Sequence, residues 1–132
     1  MLCLGISSGA FYPNVATDEV PSLAAAWDFG QLEVMVQTVG EYQPRFVQQL
    51  LANITDARCS VHSLHSFHPL HQFLTPYSRR TSEAFDLFRL GVEAAVTLGA
   101  KSVVWHGLTR AEVDAPDGWS NFWRITSELA EI

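Results

Sequence analysis

Four short apolar runs along the chain have the length and composition of buried β-strands. Each run is bounded by glycine, serine, proline or polar residues, which favour turns. Consecutive apolar residues, such as Val103, Val104 and Trp105, suit strands that are covered on both faces, as parallel strands are. The predicted strands are Met1–Ser7, Gln31–Val36, Arg58–His62 and Lys101–His106.

Between and after these runs, apolar residues recur at the three- and four-residue spacing of α-helices. A first helix is predicted to begin around Asp18–Pro21, because acids and proline are favoured in a first helical turn. It runs to about Asp28, and Gly30 is predicted to close it. Two further helices are predicted over Pro44–Asn53 and over Ser78–Leu98, and Gly99 closes the second of them. A last helix is predicted after Pro116 and Gly118. Its apolar residues Phe122, Ile125, Leu129 and Ile132 lie on one face.

The resulting order is β-α-β-α-β-α-β-α, which predicts an α/β fold with a parallel sheet. A (β/α)8 TIM barrel takes about 250 residues, and this chain has 132. We therefore predict a single partial domain over residues 1–132, a (β/α)4 half-barrel made of four βα units. The apolar stripe of the last helix is still in register at Ile132, so we expect the native chain to continue.

Two histidines, His62 and His106, each end a predicted strand. The carboxyl ends of parallel strands lie at one end of the sheet, where sites in α/β folds gather. Imidazole binds metal ions or relays protons near neutral pH. Both are predicted to be catalytic or metal-ligating residues, with His106 the first candidate, and the alternative is a hydrogen-bonded structural histidine.

Glu33 lies between apolar residues in the second predicted strand. A carboxylate with little water around it needs a partner, because an unpaired buried charge is costly. Glu33 is predicted to be a catalytic residue, acting as acid, base or ligand. The alternative is a structural role in which its hydrogen bonds hold the first two strands together.

The connection Ser63–Pro76 is long for a compact domain, which is typical of functional or mobile loops. His65, His68 and His71 follow His62 at intervals of three, but Pro69 prevents a regular helix that would align them. A metal cluster is therefore the less favoured interpretation. We predict a loop at the mouth of the barrel, with His65 and Phe67 contacting substrate.

Arg79 and Arg80 open the third helix, where cations oppose the helix dipole. Guanidinium groups bind phosphate or carboxylate in a fork, so both are predicted substrate-binding residues, and a solvated helix start is the alternative. Trp119 is predicted to form the floor of a substrate site together with Phe67. Trp105 and Trp123 are assigned to core packing.

The chain resembles the xylose isomerase-like TIM barrel superfamily, and within it the sugar phosphate isomerase/epimerase group. The resemblance lies in the order and spacing of five segments, of which the last, an alanine-rich helix, a Leu-Gly-Ala turn and a strand ending in His-Gly, is the strongest. These segments are Leu4–Ser7, Leu32–Val34, Val61–His62, Tyr77–Arg80 and Ala94–Gly107.

This resemblance implies the N-terminal half of a carbohydrate-metabolism enzyme that binds a divalent metal ion (Mn, Mg, Co or Zn). Most ligands of that metal would lie on strands five to eight, in the C-terminal half. In the isomerases and epimerases, histidines at the positions of His62 and His106 more often contact substrate hydroxyls. In the related endonuclease IV group, they are zinc ligands.

Composition narrows the choice of partner. Eight Lys and Arg stand against fourteen Asp and Glu, a net charge of −6, which disfavours nucleic acid because phosphate binding needs clustered cations. The sequence starts with no signal peptide and contains no long apolar run, so no membrane partner and a cytoplasmic location are expected. Cys3 and Cys59 are predicted to be buried, reduced thiols.

The leading hypothesis is the N-terminal half of a metal-dependent sugar or sugar-phosphate isomerase or epimerase. It would transfer a proton next to a carbonyl through an enediolate, with the base supplied by a C-terminal half-barrel. An abasic-site endonuclease similar to endonuclease IV is a second hypothesis. The third is a non-catalytic half-barrel that assembles with a second copy through its open sheet edges.

Overall fold

The computed structural model of the chain describes residues 4–67 and 70–132, with the backbone alone for Leu70 and His71. Three positions of the first predicted strand, Met1 to Cys3, lie outside the described residues, as do His68 and Pro69. The burial predicted for Cys3 lies outside them too, whereas Cys59 is a half-buried free thiol.

Four parallel strands form one sheet in the order β1-β2-β3-β4. Helices alternate with these strands, so the predicted α/β architecture of a (β/α)4 half-barrel is confirmed. Each strand pairs with the next one along the chain, as short right-handed β-α-β crossovers require. The strands are β1 Gly5–Ser7, β2 Gln31–Met35, β3 Ser60–His65 and β4 Ser102–Val104.

The helices lie close to the positions that apolar spacing predicts. Proline stands in the first turn of both α1 and α2, where its missing N–H costs nothing. The helices are α1 Val20–Ala26, α2 Pro44–Asp56, α3 Ser78–Leu98, α4 Arg110–Val113 and α5 Gly118–Ala130, and short 3₁₀ turns span Ser8–Phe11, Val39–Tyr42 and Leu70–Phe73. None of the helices in the described part of the chain has the length and apolar character that crossing a membrane requires.

The first three helices end in the same way, on a residue with a positive φ. These residues are Asp28 (φ 62°), Arg58 (φ 56°) and Gly99 (φ 71°). After each of them, the next N–H bonds back into the last helical turn, as in Ala100 N–H to Ala95 O at 2.9 Å. The closure by Gly99 is confirmed, whereas the closure of α1 by Gly30 is wrong because Asp28 takes that conformation two residues earlier.

The chain divides into two compact units, Met1–Phe67 with Gly91–Val104 and His68–Leu90 with Trp105–Ile132. The first contains the sheet. Alternate residues of β2 and β3 form its core: Leu32 pairs with Val61, and Val34 pairs with Leu64, which is fully buried. The residues between them on β2 are only half-buried, so the polar side chains of these strands share the other face.

The second unit is built around α5 and one aromatic cluster. Ile125 and Leu129 of α5 are buried, as the predicted stripe requires, but the helix ends at Ala130, before Ile132. Phe73 is buried edge-on against Phe85 at 5.1 Å and Trp105 at 5.6 Å between ring centroids. This packing places Trp105 in a core, as predicted, while Trp123 is exposed, so its assignment to core packing is wrong.

The third and fourth strands differ from their predicted bounds. β3 does not end at His62 but continues to His65, because the hydroxyl of Ser63 finds a partner inside the sheet and Leu64 is buried. β4 is shorter than predicted and stops at Val104, so His106 lies two residues beyond it. The histidine that ends β3 is therefore His65, which the sequence had assigned to a loop.

Candidate active site

Glu33 joins three neighbouring strands through its carboxylate. Its Oε1 accepts a hydrogen bond from the Ser7 hydroxyl at 2.9 Å, and its Oε2 accepts one from the Ser63 hydroxyl at 3.1 Å. Ser7 is the last residue of β1, and Ser63 lies in β3. The partner that sequence reasoning required for this carboxylate is thus a pair of serine hydroxyls.

The register of the sheet explains why these side chains meet. Ser7 is paired with Glu33, and Glu33 is paired with Ser63, so the three residues form one row across the sheet. In a regular sheet the pairing of Leu32 with Val61 would place His62 opposite Glu33. A register shift after Leu32 inserts His62 as an extra residue and brings Ser63 into the row instead.

His65 lies beside this carboxylate on the same face of the sheet. Its Nδ1 is 3.6 Å from Glu33 Oε1, and the side chains of His65 and Glu33 are 17% and 31% exposed. His65 follows Ser63 by two residues, so strand alternation places both side chains on the Glu33 face. The pair brings a carboxylate and an imidazole, the two commonest proton-transfer groups, to one half-buried place.

The environment of Glu33 favours its ionised form. Partial burial acts to raise the pKa of this carboxyl, but the hydrogen bonds from Ser7 and Ser63 and the proximity of His65 outweigh it and lower the pKa below the ordinary value. Glu33 is therefore a carboxylate at neutral pH. It accepts hydrogen bonds there and carries a full negative charge.

The lowered pKa of Glu33 predicts a pH dependence of stability. The folded state binds this proton less tightly than the unfolded chain, so the stabilisation is complete above the unfolded pKa, about 4.3, and is lost as pH falls through the folded pKa. Urea unfolding from about pH 6 to about pH 3 is expected to show a smaller loss of stability in Glu33→Gln than in the unsubstituted protein. Identical losses in both proteins would contradict the assignment.

A cavity of about 370 Å³ lies on the strands around Glu33. Its lining includes Ser7, Glu33, His62 and Ser63, so the inserted His62 and the row of polar residues face the same space. A larger groove of about 760 Å³ lies along α1 and α2 and contains none of the predicted site residues. The smaller cavity is therefore the candidate site.

Tyr42 fixes the segment that follows β3. Its buried hydroxyl accepts a hydrogen bond from the Phe67 N–H at 2.8 Å and donates one to the Phe67 carbonyl at 3.2 Å. Burial raises the pKa of Tyr42, so this hydroxyl keeps its proton. The backbone of Phe67 is held at both of its polar groups, and its ring is 39% exposed.

The remaining predicted site residues lie in the second unit. His106 follows β4 and is exposed, while Arg79 and Arg80 are exposed in the first turn of α3. Trp119 is exposed near the start of α5, where its ring meets Phe122 edge-on at 5.7 Å between centroids. Each of these side chains is accessible for binding, and their roles stay predictions.

A metal site of three or more protein ligands is not formed by the residues that the structure describes. Glu33 and His65 together provide two candidate ligands, whereas zinc sites take three or four protein ligands. His68 and the side chain of His71 lie outside the described residues, so the less favoured metal cluster that would include them stays untested. A metal ion would need ligands from beyond these residues, and no step is assigned to one.

Sequence reasoning missed Ser7, Ser63 and Tyr42. Ser7 and Ser63 each align with Glu33 in the sheet, and the alignment of Ser63 depends on the register shift at His62, which no local pattern predicts. The hydroxyl of Tyr42 acts on a residue 25 positions away. The short helix α4, by contrast, has a local signal in the sequence, because Thr109 and Glu112 form a capping box at its start.

The chain has the fold of half a TIM barrel. It superposes on D-psicose 3-epimerase from Clostridium cellulolyticum H10 with a TM-score of 0.74 and 12% identity, covering 98% of this chain and 48% of that one. The superposition on the 3-keto-D-glucoside 4-epimerase YcjR from E. coli has a TM-score of 0.67 and 16% identity, and it covers 99% of this chain and 52% of that one. The superposition on a xylose isomerase domain protein from Alicyclobacillus acidocaldarius has a TM-score of 0.52 and 17% identity, and it covers 98% of this chain and 43% of that one.

An AP endonuclease of family 2 from Brucella melitensis shares the fold as well, with a TM-score of 0.58 and 17% identity over 99% of this chain and 52% of that one. The chain thus spans about half the length of each solved structure. Its sequence matches neither a protein-family profile nor a curated protein. At these identities the comparisons define the fold, and sugar epimerases are prominent among the proteins that share it.

Proposed function

We propose that this chain forms half of the active site of a cytoplasmic sugar or sugar-phosphate isomerase or epimerase. The observation that carries the proposal is the ionised Glu33, held by Ser7 and Ser63 beside His65 in a cavity. This arrangement lies on a fold that the chain shares with sugar epimerases. The other half of the site comes from a C-terminal half-barrel or from a second copy of the chain.

The reaction is a proton transfer next to a carbonyl, which passes through an enediolate. Glu33 accepts hydrogen bonds from substrate hydroxyls, and His65 fixes the position of its carboxylate. His62, which lies within β3 and lines the cavity, orients the substrate. His106, which follows β4, is proposed to contact a substrate hydroxyl. The base that removes the proton belongs to the other half, because Glu33 is already engaged by two serines and its lowered pKa makes it a weak base.

The divalent metal ion implied by the resemblance would polarise the carbonyl when bound. Its complete ligand set is not found among residues 4–67 and 70–132. The assignment of His62 and His106 as metal ligands therefore stays a prediction. The roles proposed for Glu33 and His65 do not depend on that assignment.

The proposal is tested by following a panel of ketoses and their phosphates with the intact native gene product by NMR, with each divalent ion added in turn. Conversion of at least one sugar into its epimer or isomer is expected. A folded, metal-supplemented protein that converts none of them would contradict the proposed function.

Replacement of His106 by alanine in the intact protein is expected to lower turnover more than stability. The side chain is exposed, so its loss removes little packing, whereas a misplaced substrate costs up to about 100-fold in rate. Turnover and the thermal midpoint measured on the same preparations check this. A large fall in the midpoint with little change in turnover would make His106 structural.

An abasic-site endonuclease is the second candidate, and the shared fold of the Brucella melitensis AP endonuclease favours it. The net charge of −6 argues against it, since DNA binding rests on phosphate neutralisation. Binding of duplex DNA with an abasic site, measured at several salt concentrations, separates the two functions. Tight, salt-sensitive binding would favour the endonuclease, and weak, salt-insensitive binding would dismiss it.

A non-catalytic assembly module is the third candidate. Within the described sheet, β1 and β4 each pair on one side only, and open strand edges favour pairing with another chain. Light scattering on the purified chain tests this candidate. A folded, strictly monomeric chain would contradict self-assembly.

A further inference from the structure

The carboxylate of Glu33 retains hydrogen-bonding capacity on the cavity side. A carboxylate accepts about four hydrogen bonds. Each oxygen of Glu33 accepts one from a serine, and His65 Nδ1 lies 3.6 Å from Oε1, so part of this capacity is unused. The side chain is 31% exposed and lines the cavity. A ligand in the cavity therefore meets an acceptor that is already fixed in position by two strands.

Glu33 is also the one acidic side chain lining this cavity, and no Lys or Arg is among the described residues around it. The other lining residues are Gly5, Ile6, Ser7, Gln31, Leu32, His62 and Ser63. Proteins bind phosphate with guanidinium groups, ammonium groups or clustered backbone N–H groups. A phosphate in this cavity would instead face a fixed negative charge, and like charges brought together cost several kcal/mol.

Hydroxyl groups fit the same surroundings well. Each hydroxyl donates one hydrogen bond, which an ionised carboxylate accepts more strongly than a neutral group does, and His62 on the same lining offers a second polar contact. The volume of about 370 Å³ lies at the lower end of ligand cavities, which run from about 300 to 1,000 Å³. This volume accommodates a monosaccharide.

We infer that the Glu33 cavity binds adjacent hydroxyls of an uncharged sugar and selects against its phosphate esters. The inference rests on the proposed function and chooses one of the two substrate classes that it left open. Glu33 determines this specificity by its charge, so neutralising it should change which ligand is preferred and not only how tightly ligands bind.

The test compares three probes on the intact native gene product by calorimetry and by turnover: D-fructose, D-fructose 1-phosphate and D-fructose 6-phosphate. D-Fructose is expected to bind at least about tenfold more tightly than either ester. The free-energy difference behind this ratio is smaller than the several kcal/mol that like charges cost when they are brought together. In Glu33→Gln, which keeps the shape of the side chain, D-fructose should bind about tenfold more weakly and most of the preference should disappear. Glu93→Gln is the matched control, because it makes the same change of charge at an exposed position of α3.

Three outcomes would overturn the inference. Tighter binding and faster turnover of an ester would assign the enzyme to sugar phosphates, with the proposed function intact. A preference for D-fructose that survives in Glu33→Gln would show that another group determines it. Absence of binding and turnover with all three probes, in a folded protein that also fails on the ketose panel, would remove the proposed function itself.

Discussion

Replacement of Phe73 by alanine is expected to lower the free energy of unfolding by about 3–5 kcal/mol, the range measured for buried Phe-to-Ala changes. Phe73 is 1% exposed. Its ring meets those of Phe85 and Trp105 edge-on, so the substitution leaves a cavity and removes two aromatic contacts from the second unit. Urea unfolding of the intact native protein, followed by tryptophan fluorescence, measures the loss.

Phe67→Ala is the matched control, because it deletes the same ring at a position that is 39% exposed. The backbone of Phe67 keeps both of its hydrogen bonds to Tyr42, so the expected loss is about 1 kcal/mol or less. Phe67 is also a predicted substrate-binding residue, so this variant is expected to weaken substrate binding. Equal destabilisation by the two substitutions would contradict the placement of Phe73 in a core.

Replacement of Glu33 by alanine is expected to lower kcat/KM of the proposed isomerase or epimerase by about 100-fold, the scale of rate lost when a substrate is misplaced by about 1 Å. The substitution removes the acceptor offered to substrate hydroxyls and the anchor beside His65. Steady-state kinetics on the best substrate of the ketose panel measure the effect.

Glu93→Ala provides the comparison for this variant, since it removes an exposed glutamate from α3 without touching the cavity. It should leave kcat/KM within about twofold of the unsubstituted protein, because surface substitutions away from a site change energies by only about 0.5 kcal/mol. A Glu33→Ala protein that retains full activity and loses stability would reduce Glu33 to a structural link between strands.

Local sequence pattern predicted the fold well because each βα unit is specified by short-range features. The bounds of α3 were predicted to the residue, since its apolar spacing runs from a first turn after Pro76 to the glycine at Gly99. α1 shows the limit of such reasoning. Asp28 takes the left-handed conformation that glycine usually supplies, because aspartate is one of the few other residues that adopt it at low cost.

The candidate site was predictable only in part, because it depends on how strands align. Glu33 was identified because a carboxylate within an apolar strand demands partners, and the structure provides Ser7 and Ser63. The register shift at His62 decides that the partner from β3 is Ser63, whereas Ser7 pairs with Glu33 in the regular β1–β2 register. The same shift belongs to a strand that continues to His65, so the proximity of His65 to Glu33 could not be read from spacing along the chain.

The most direct test of the proposed chemistry is proton exchange. The intact native protein, supplied with divalent metal ions, is incubated with its ketose substrate in D₂O, and NMR follows the hydrogen on the carbon next to the carbonyl. Proton transfer through an enediolate predicts that deuterium enters this position along with epimer or isomer formation, and that the rate falls about 100-fold in Glu33→Ala. No exchange into any ketose of the panel by a folded, metal-supplemented protein would contradict the proposed proton transfer through an enediolate.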